Sequence, residues 1–204
     1  MRRRGSELSE HILLTAKDAF LELGFERTSM DVVAERAATS KRTLYAHFEN
    51  KEKLYLAVIA LVRRLFQDRL KSPADYAPDT ADALVRFCGR LLEIVLWAPS
   101  LGMCRLTVAE VDRFPEGAAN HYDAIFGAAH NRLATFLRER MDLGPKAAAE
   151  AADDLLGRIL FPRWPRALFG IDKARGGDID ENRIGSDDLK QIRTTVAAFL
   201  KDRS

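Results

Sequence analysis

Two cysteines in 204 residues, Cys88 and Cys104, are too few for a disulfide framework. Both fall in apolar stretches with helical spacing, so buried reduced thiols are expected, with a redox-sensing pair as the alternative. Long apolar runs are missing too. No segment approaches the roughly 18–20 uninterrupted apolar residues of a membrane span. Behind the basic MRRR start, HILLTAKDAFLELG is interrupted by Lys17, Asp18 and Glu22, which breaks the apolar core a signal peptide needs. A soluble, cytoplasmic protein is expected. Neither charge is in large excess: 32 Lys and Arg against 30 Asp and Glu give +2, so overall basicity announces no nucleic-acid partner. There is no glycine-rich phosphate loop, no H-E-x-x-H, no C-x-x-C and no nucleophile elbow. His121 and His130 do not share one helix face, which argues against zinc. No catalytic residue, metal or cofactor is expected.

Alternating strand patterns are also missing, and the apolar period is helical almost throughout, which predicts an all-α protein. A first helix runs from about residue 7 to 23, with Ile12, Ala16, Phe20 and Leu23 on one face and Gly24 as its stop. Two short helices follow, then a longer one capped by Asn50 that reaches about Leu70. Ser72-Pro73 and Pro78 break the pattern and mark the best boundary. Beyond it, Thr80 is expected to cap a helix to about Pro99. A shorter helix carries Met103 and Val111, a long one runs from about Tyr122 to Gly144-Pro145, and another covers about 146–160. Residues 170–188 are rich in glycine and charge and read as a mobile loop. Ser186 or Asp187 should cap a final helix striped with Leu189, Ile192, Val196, Phe199 and Leu200.

The two short helices carry the most information. Ser29 can cap the first, whose small apolar face holds Val33, Ala34 and Ala37. Ala38 and Thr39 make the turn, and Ser40 caps the second. On that second helix Leu44 and Phe48 share the inner face at i, i+4, so Arg42, Tyr45 and Ala46 point outward, with Lys41 in the first turn. A short helix with an apolar inner face and a basic outer N-terminus suits the DNA major groove. The local charge agrees: residues 1–71 hold 14 Lys and Arg against 10 Asp and Glu, the remainder 18 against 20.

The segment TSMDVVAERAATSKRTLYAHFENKEKL resembles the DNA-binding signature of TetR-type bacterial regulators, T-x-x-x-I-A-x-x-A-G-V-S-x-G-T-x-Y-x-H-F-x-x-K-x-x-L. The matches are Ser29, Val33, Ala34, Ala37, Ser40, Thr43, Tyr45, His47, Phe48, Lys51 and Leu54, with Phe20, Gly24 and Phe25 resembling the supporting first helix and turn. Ala38 stands where the family usually has Gly, Thr39 where it has Val, and Arg42 where it often has Gly. The stretch RLTVAEVDRFPE, Arg105–Glu116, is similar to the ligand domain of an AcrR/AefR-like subgroup.

The resemblance implies a helix-turn-helix domain over 1–50, a connecting helix over 51–72 and a ligand-binding and dimerisation domain over 73–204. It implies a homodimer on a double-stranded DNA operator, most naturally a repressor relieved by a small-molecule effector. Lys41 and Arg42 are expected to read bases; Ser29, Tyr45, His47 and Lys51 to hold phosphates, beside Ser40 and Thr43; and Arg2, Arg3 and Arg4 to form an arm for the minor groove. Effector-contact candidates are Phe66, Phe87, Leu91, Trp97, Met103, Thr107, Glu110, His121, Tyr122, Phe126, His130, Phe161 and Trp164. Leu155 and Ile159 with the final stripe are expected at the dimer interface, because that stripe needs a partner surface. Two other readings stand beside this one: a helical small-molecule carrier, which has no use for the basic outer face, and an architectural DNA binder, which has no use for a large apolar helical domain.

Overall fold

Helices dominate the computed structural model, which describes residues 2–177 and 186–203, and no strand forms among these. The helices are α1 (Arg2–Arg27), α2 (Met30–Arg36), α3 (Lys41–His47), α4 (Lys51–Arg69), α5 (Thr80–Leu96), α6 (Ala98–Ala109), α7 (Pro115–Tyr122), α8 (Ala128–Met141), α9 (Pro145–Leu160), α10 (Trp164–Leu168) and α11 (Ser186–Lys201). α1 is interrupted at Gly24, whose φ of 77° lies in the left-handed region that glycine enters without Cβ strain. The expected long helix before Gly144 is divided by a π-helical stretch, Asp123–Gly127, and ends at Asp142 in left-handed geometry. Asp79 rather than Thr80 caps α5, its Oδ1 accepting from the Asp82 N–H at 2.8 Å. The caps expected of Ser186 and Asp187 lie outside the described residues.

Two compact units emerge. Unit 1 is 1–65 with 102–121; unit 2 is 66–101 with 122–204. The linear boundary at the prolines therefore does not describe the packing. Residues 102–121 return to unit 1 because Met103, Leu106 and Phe114 join the core formed by Ile12, Phe20, Phe25, Val33, Leu44, Leu54 and Tyr55. In unit 2, α11 packs on α5 and α9, and α8 packs on α9.

The final stripe does not wait for another subunit. Ile192, Val196 and Phe199 are already buried, as are Leu155 and Ile159, and Leu189 and Leu200 are half-buried. Packing of α11 on α5 and α9 within the chain covers the buried members of the set, and Leu189 and Leu200 keep part of their surface. Nor is 170–188 a free loop throughout. Ala98 N–H donates to the Arg175 carbonyl and Arg175 N–H to that of Leu96, each within 2.9 Å. Asp188 pairs with both Arg163 and Arg175.

Ala38 ends α2 with a φ of 48°. Thr39 N–H reaches the Ala34 carbonyl and Ala38 N–H that of Glu35, a Schellman closure that calls for a left-handed residue. Alanine pays a Cβ clash there that glycine avoids. Ala38→Gly is therefore expected to stabilise the protein by about 1 kcal/mol. A urea midpoint unchanged or lowered would contradict this.

Candidate functional site

The DNA-facing candidates lie in unit 1, on α2, α3 and the start of α4. Leu44 is fully buried and Phe48 nearly so, which fixes α3 by its inner face and leaves Lys41, Arg42, Tyr45, Ala46 and His47 exposed. The turn is built as the side chains require. Ser29 Oγ accepts from Val32 N–H at 3.2 Å, and Ser40 Oγ accepts from Thr43 N–H at 3.0 Å while lying 2.7 Å from the Thr43 hydroxyl. Asn50 Oδ1 accepts from Lys53 N–H at 2.8 Å at the head of α4.

The cations of this surface are not equivalent. Lys41 Nζ pairs with Asp31 at 2.7 Å, though both side chains are more than half exposed, so the pair holds weakly. Arg42 makes no ion pair among the described residues. Lys51 turns inward instead of outward: its ammonium donates to the carbonyls of Phe25 at 3.0 Å and Glu26 at 3.3 Å and lies 4.2 Å from the centre of the Phe25 ring. The C-terminal carbonyls of α1 attract a cation, and the ring face adds to that. Arg113 approaches the same ring at 4.6 Å and pairs with Glu26 and Glu52. A shallow hollow of about 350 Å³ lies on this surface, lined by Glu26, Thr28, Ser29, Met30, Asp31, Tyr45 and Lys51.

Lys51 is thus a structural tie, a role beyond the phosphate contact expected of it. Lys51→Met, which keeps the aliphatic stem, is expected to lower the stability of the free protein by about 1–2 kcal/mol. A melting temperature equal to that of the parent would return Lys51 to the role of a pure DNA contact. The side chains of Arg2, Arg3 and Arg4 lie outside the described residues; their backbone continues α1 as helix.

The effector candidates divide. Tyr122, Phe126, His130, Phe161 and Trp164 come together around one cleft of about 610 Å³ in unit 2, with Gly127, Asp153, Leu156, Gly157, Leu160 and Pro165. Leu156 and Leu160 at i, i+4 on α9 were the missed signal. Phe66, Phe87 and Leu91 are instead buried core residues of unit 2. Trp97 is corrected to an anchor: its indole N–H donates to the Gly177 carbonyl at 2.7 Å and Arg69 covers its ring at 5.1 Å. Met103, Thr107, Glu110 and His121 belong to unit 1 and do not join this cleft. There Thr107 Oγ1 donates to the Met103 carbonyl at 2.7 Å, and His121 Nε2 lies 3.6 Å from Cys104 Sγ. Burial pushes the Cys88 thiol up to about 12 and that of Cys104 up to about 11, so neither is a ready thiolate. No group of three or more metal-ligating side chains forms among the described residues, and no described helix is long and apolar enough to cross a membrane.

A capped helix-turn-helix carrying a cationic outer face is the plan of a DNA-binding regulator. Residues 12–58 match the family described as bacterial regulatory proteins, tetR family, and 82–183 match the AefR-like transcriptional repressor, C-terminal domain. The chain belongs to the TetR family. The HTH-type transcriptional activator FasR of Mycolicibacterium smegmatis is 40% identical over 62 residues, 28% of each chain. The HTH-type transcriptional regulator RutR of Escherichia coli is 36% identical over 77 residues, 37% of this chain and 36% of its own. The chain thus spans about a third of the length of the curated relatives it matches. Over the whole length, a TetR-family regulator from Mesorhizobium loti has the same fold, with a TM-score of 0.82, 24% identity and 98% of each chain covered. The flavonoid-responsive regulator FrrA gives 0.74 at 27% identity and 97% coverage of each.

Proposed function

We propose that this protein is a transcriptional repressor that binds a near-palindromic operator as a homodimer and is released by a small apolar or amphipathic molecule. The observation that carries this reading is the exposed outer face of α3, with Lys41, Arg42 and Tyr45 presented by a helix whose Leu44 and Phe48 are packed away. Repression rather than activation is favoured by the match of 82–183 to an AefR-like repressor domain. Release by a ligand is favoured by the cleft of unit 2, and a whole-length neighbour is named for its response to flavonoids. With the inner stripe of α11 already covered, the contact between subunits falls to the outer face of α11, where Thr194, Ala197 and Ala198 are exposed.

α4 starts in unit 1 and ends in unit 2, and Arg132 on α8 donates to the carbonyls of Leu70 and Gln67 at that far end. It is not the sole covalent route, since α6 and α7 also pass from one unit to the other. A ligand acts through these helices only by preferring the conformation that does not bind DNA, and coupling of this kind typically changes DNA affinity about 5- to 150-fold. Footprinting on the DNA upstream of the protein's own gene tests the reading. Two symmetric half-sites with centres about 34–36 Å apart or slightly more are expected. Protection of a single asymmetric half-site by a monomer would overturn it.

A further inference from the structure

The stretch Arg105–Glu116, whose sequence is similar to an AefR-like ligand domain, packs within unit 1 beside the helix-turn-helix. Its turn between α6 and α7 is closed on one acceptor: the Glu110 carbonyl takes Arg113 N–H at 3.1 Å and Phe114 N–H at 2.9 Å. Pro115 then starts α7 with its φ preset for a helix. Gly117 brings α7 close onto α4, since a Cβ there would stand 3.1 Å from Leu56 Cδ2 and 3.2 Å from Ile59 Cδ1.

The turn offers Arg113 and Phe114 to two other helices at once. Arg113 Nη1 pairs with Glu26 at 2.7 Å, near the end of α1, and its Nη2 with Glu52 at 3.3 Å, in the first turn of α4. Phe114 repeats the bridge in apolar form, its ring 5.1 Å from that of Phe25 on α1 and 4.9 Å from that of Tyr55 on α4. The Phe25 ring also takes two cations, Lys51 at 4.2 Å and Arg113 at 4.6 Å. Between Glu26 and Glu52 the chain holds α2, the turn and α3, so the DNA-facing side chains hang from these two ends.

From this we infer that Arg113 is a positioning residue for DNA binding: its guanidinium clasps the two ends of the helix-turn-helix and keeps α3 in the arrangement that DNA takes. A single exposed ion pair is weak. Here one guanidinium holds carboxylates of two helices and lies against a ring, so three small contacts oppose the same separation. DNA binds the clasped arrangement, and apparent affinity scales with its population. The sign of the charge effect separates this from plain electrostatics. Glu26 lines the hollow beside Ser29, Tyr45 and Lys51, where a carboxylate repels a phosphate backbone. Neutralising Glu26 and Glu52 strengthens DNA binding if they are separate surface charges, and weakens it if they hold the clasp. The inference rests on the DNA-binding reading of α3 and adds a residue that acts through α1 and α4.

The test takes the full chain and the duplex it selects from a random-sequence pool, with binding read by fluorescence anisotropy at fixed salt, below the melting temperature of every variant. Arg113→Met, the pair Glu26→Gln with Glu52→Gln, and all three changes together should each weaken binding about fivefold, the weight of two exposed ion pairs. The triple variant should lose no more than the others, because a clasp opens only once. Arg113→Lys, which keeps the charge without the fork, should recover part of the loss. Amide hydrogen exchange of the free variants should quicken at residues 27–50 and stay unchanged in α5 and α9. Tighter binding by the glutamine pair, or losses that add, would resolve the cluster into separate surface charges and overturn the clasp. Variants that melt earlier yet bind the duplex as the parent does would reduce Arg113 to a stabilising contact. A parent that enriches no sequence from the pool would instead sink the DNA reading, and the clasp with it.

Discussion

Arg42→Ala should relax the preference for a single base pair of the operator by about 1–3 kcal/mol, the discrimination of one bidentate arginine–guanine contact. Its neighbour supports the choice. Lys41 is already engaged with Asp31 at 2.7 Å, whereas Arg42 stands exposed without an ion pair among the described residues. Arg42 also occupies a position where TetR relatives often carry glycine, so base preferences at this position are not to be borrowed from them. Competition titrations against operators changed one position at a time would show the effect. An equal loss on every sequence would instead make Arg42 a phosphate contact.

The second large effect is a dependence on acid centred on His121. Its side chain is 4% exposed, Nδ1 has no partner, and burial lowers its pKa from the ordinary 6.5 to about 4. Above pH 6.5 the imidazole is neutral whether the chain is folded or not, and it imposes no penalty. As pH falls from 6.5 towards 4, the unfolded chain takes up a proton that the folded chain refuses. Stability is therefore lost across that window, by about 3 kcal/mol in all. His121→Gln, which does not titrate, should flatten this part of the profile. Urea midpoints at pH 7 and pH 4.5 provide the comparison; parallel falls in parent and variant would show that other groups set the acid limit.

The helix-turn-helix was legible in the sequence because its determinants are local. Ser29, Ser40 and Asn50 cap the helices that follow them, Gly24 stops α1, and Leu44 and Phe48 mark the buried face. What escaped the sequence depends on partners far along the chain. Nothing near Trp97 announces that Gly177 will take its indole proton, and nothing near Lys51 announces the carbonyls of Phe25 and Glu26. The stripe on α11 was seen correctly as apolar, but a stripe does not say whether its cover comes from α5 or from a second subunit. The effector list mixed the lining of one cleft with two cores for the same reason: aromatic residues at helical spacing look alike in both.

The return of 102–121 to unit 1 also has a bearing on how the protein is made and how it can be cut. A ribosome that has released only the helix-turn-helix has not yet supplied Met103, Leu106 and Phe114, so the DNA-binding unit must await a segment several helices later before its apolar core closes. Contacts so distant along the chain raise contact order and slow the closing step. An isolated fragment ending at Ser72 would leave the face meant for those three side chains open to water, inviting self-association. Chimaeras that exchange sensor regions between regulators would therefore need to keep α6 and α7 with the N-terminal helices whose core they complete.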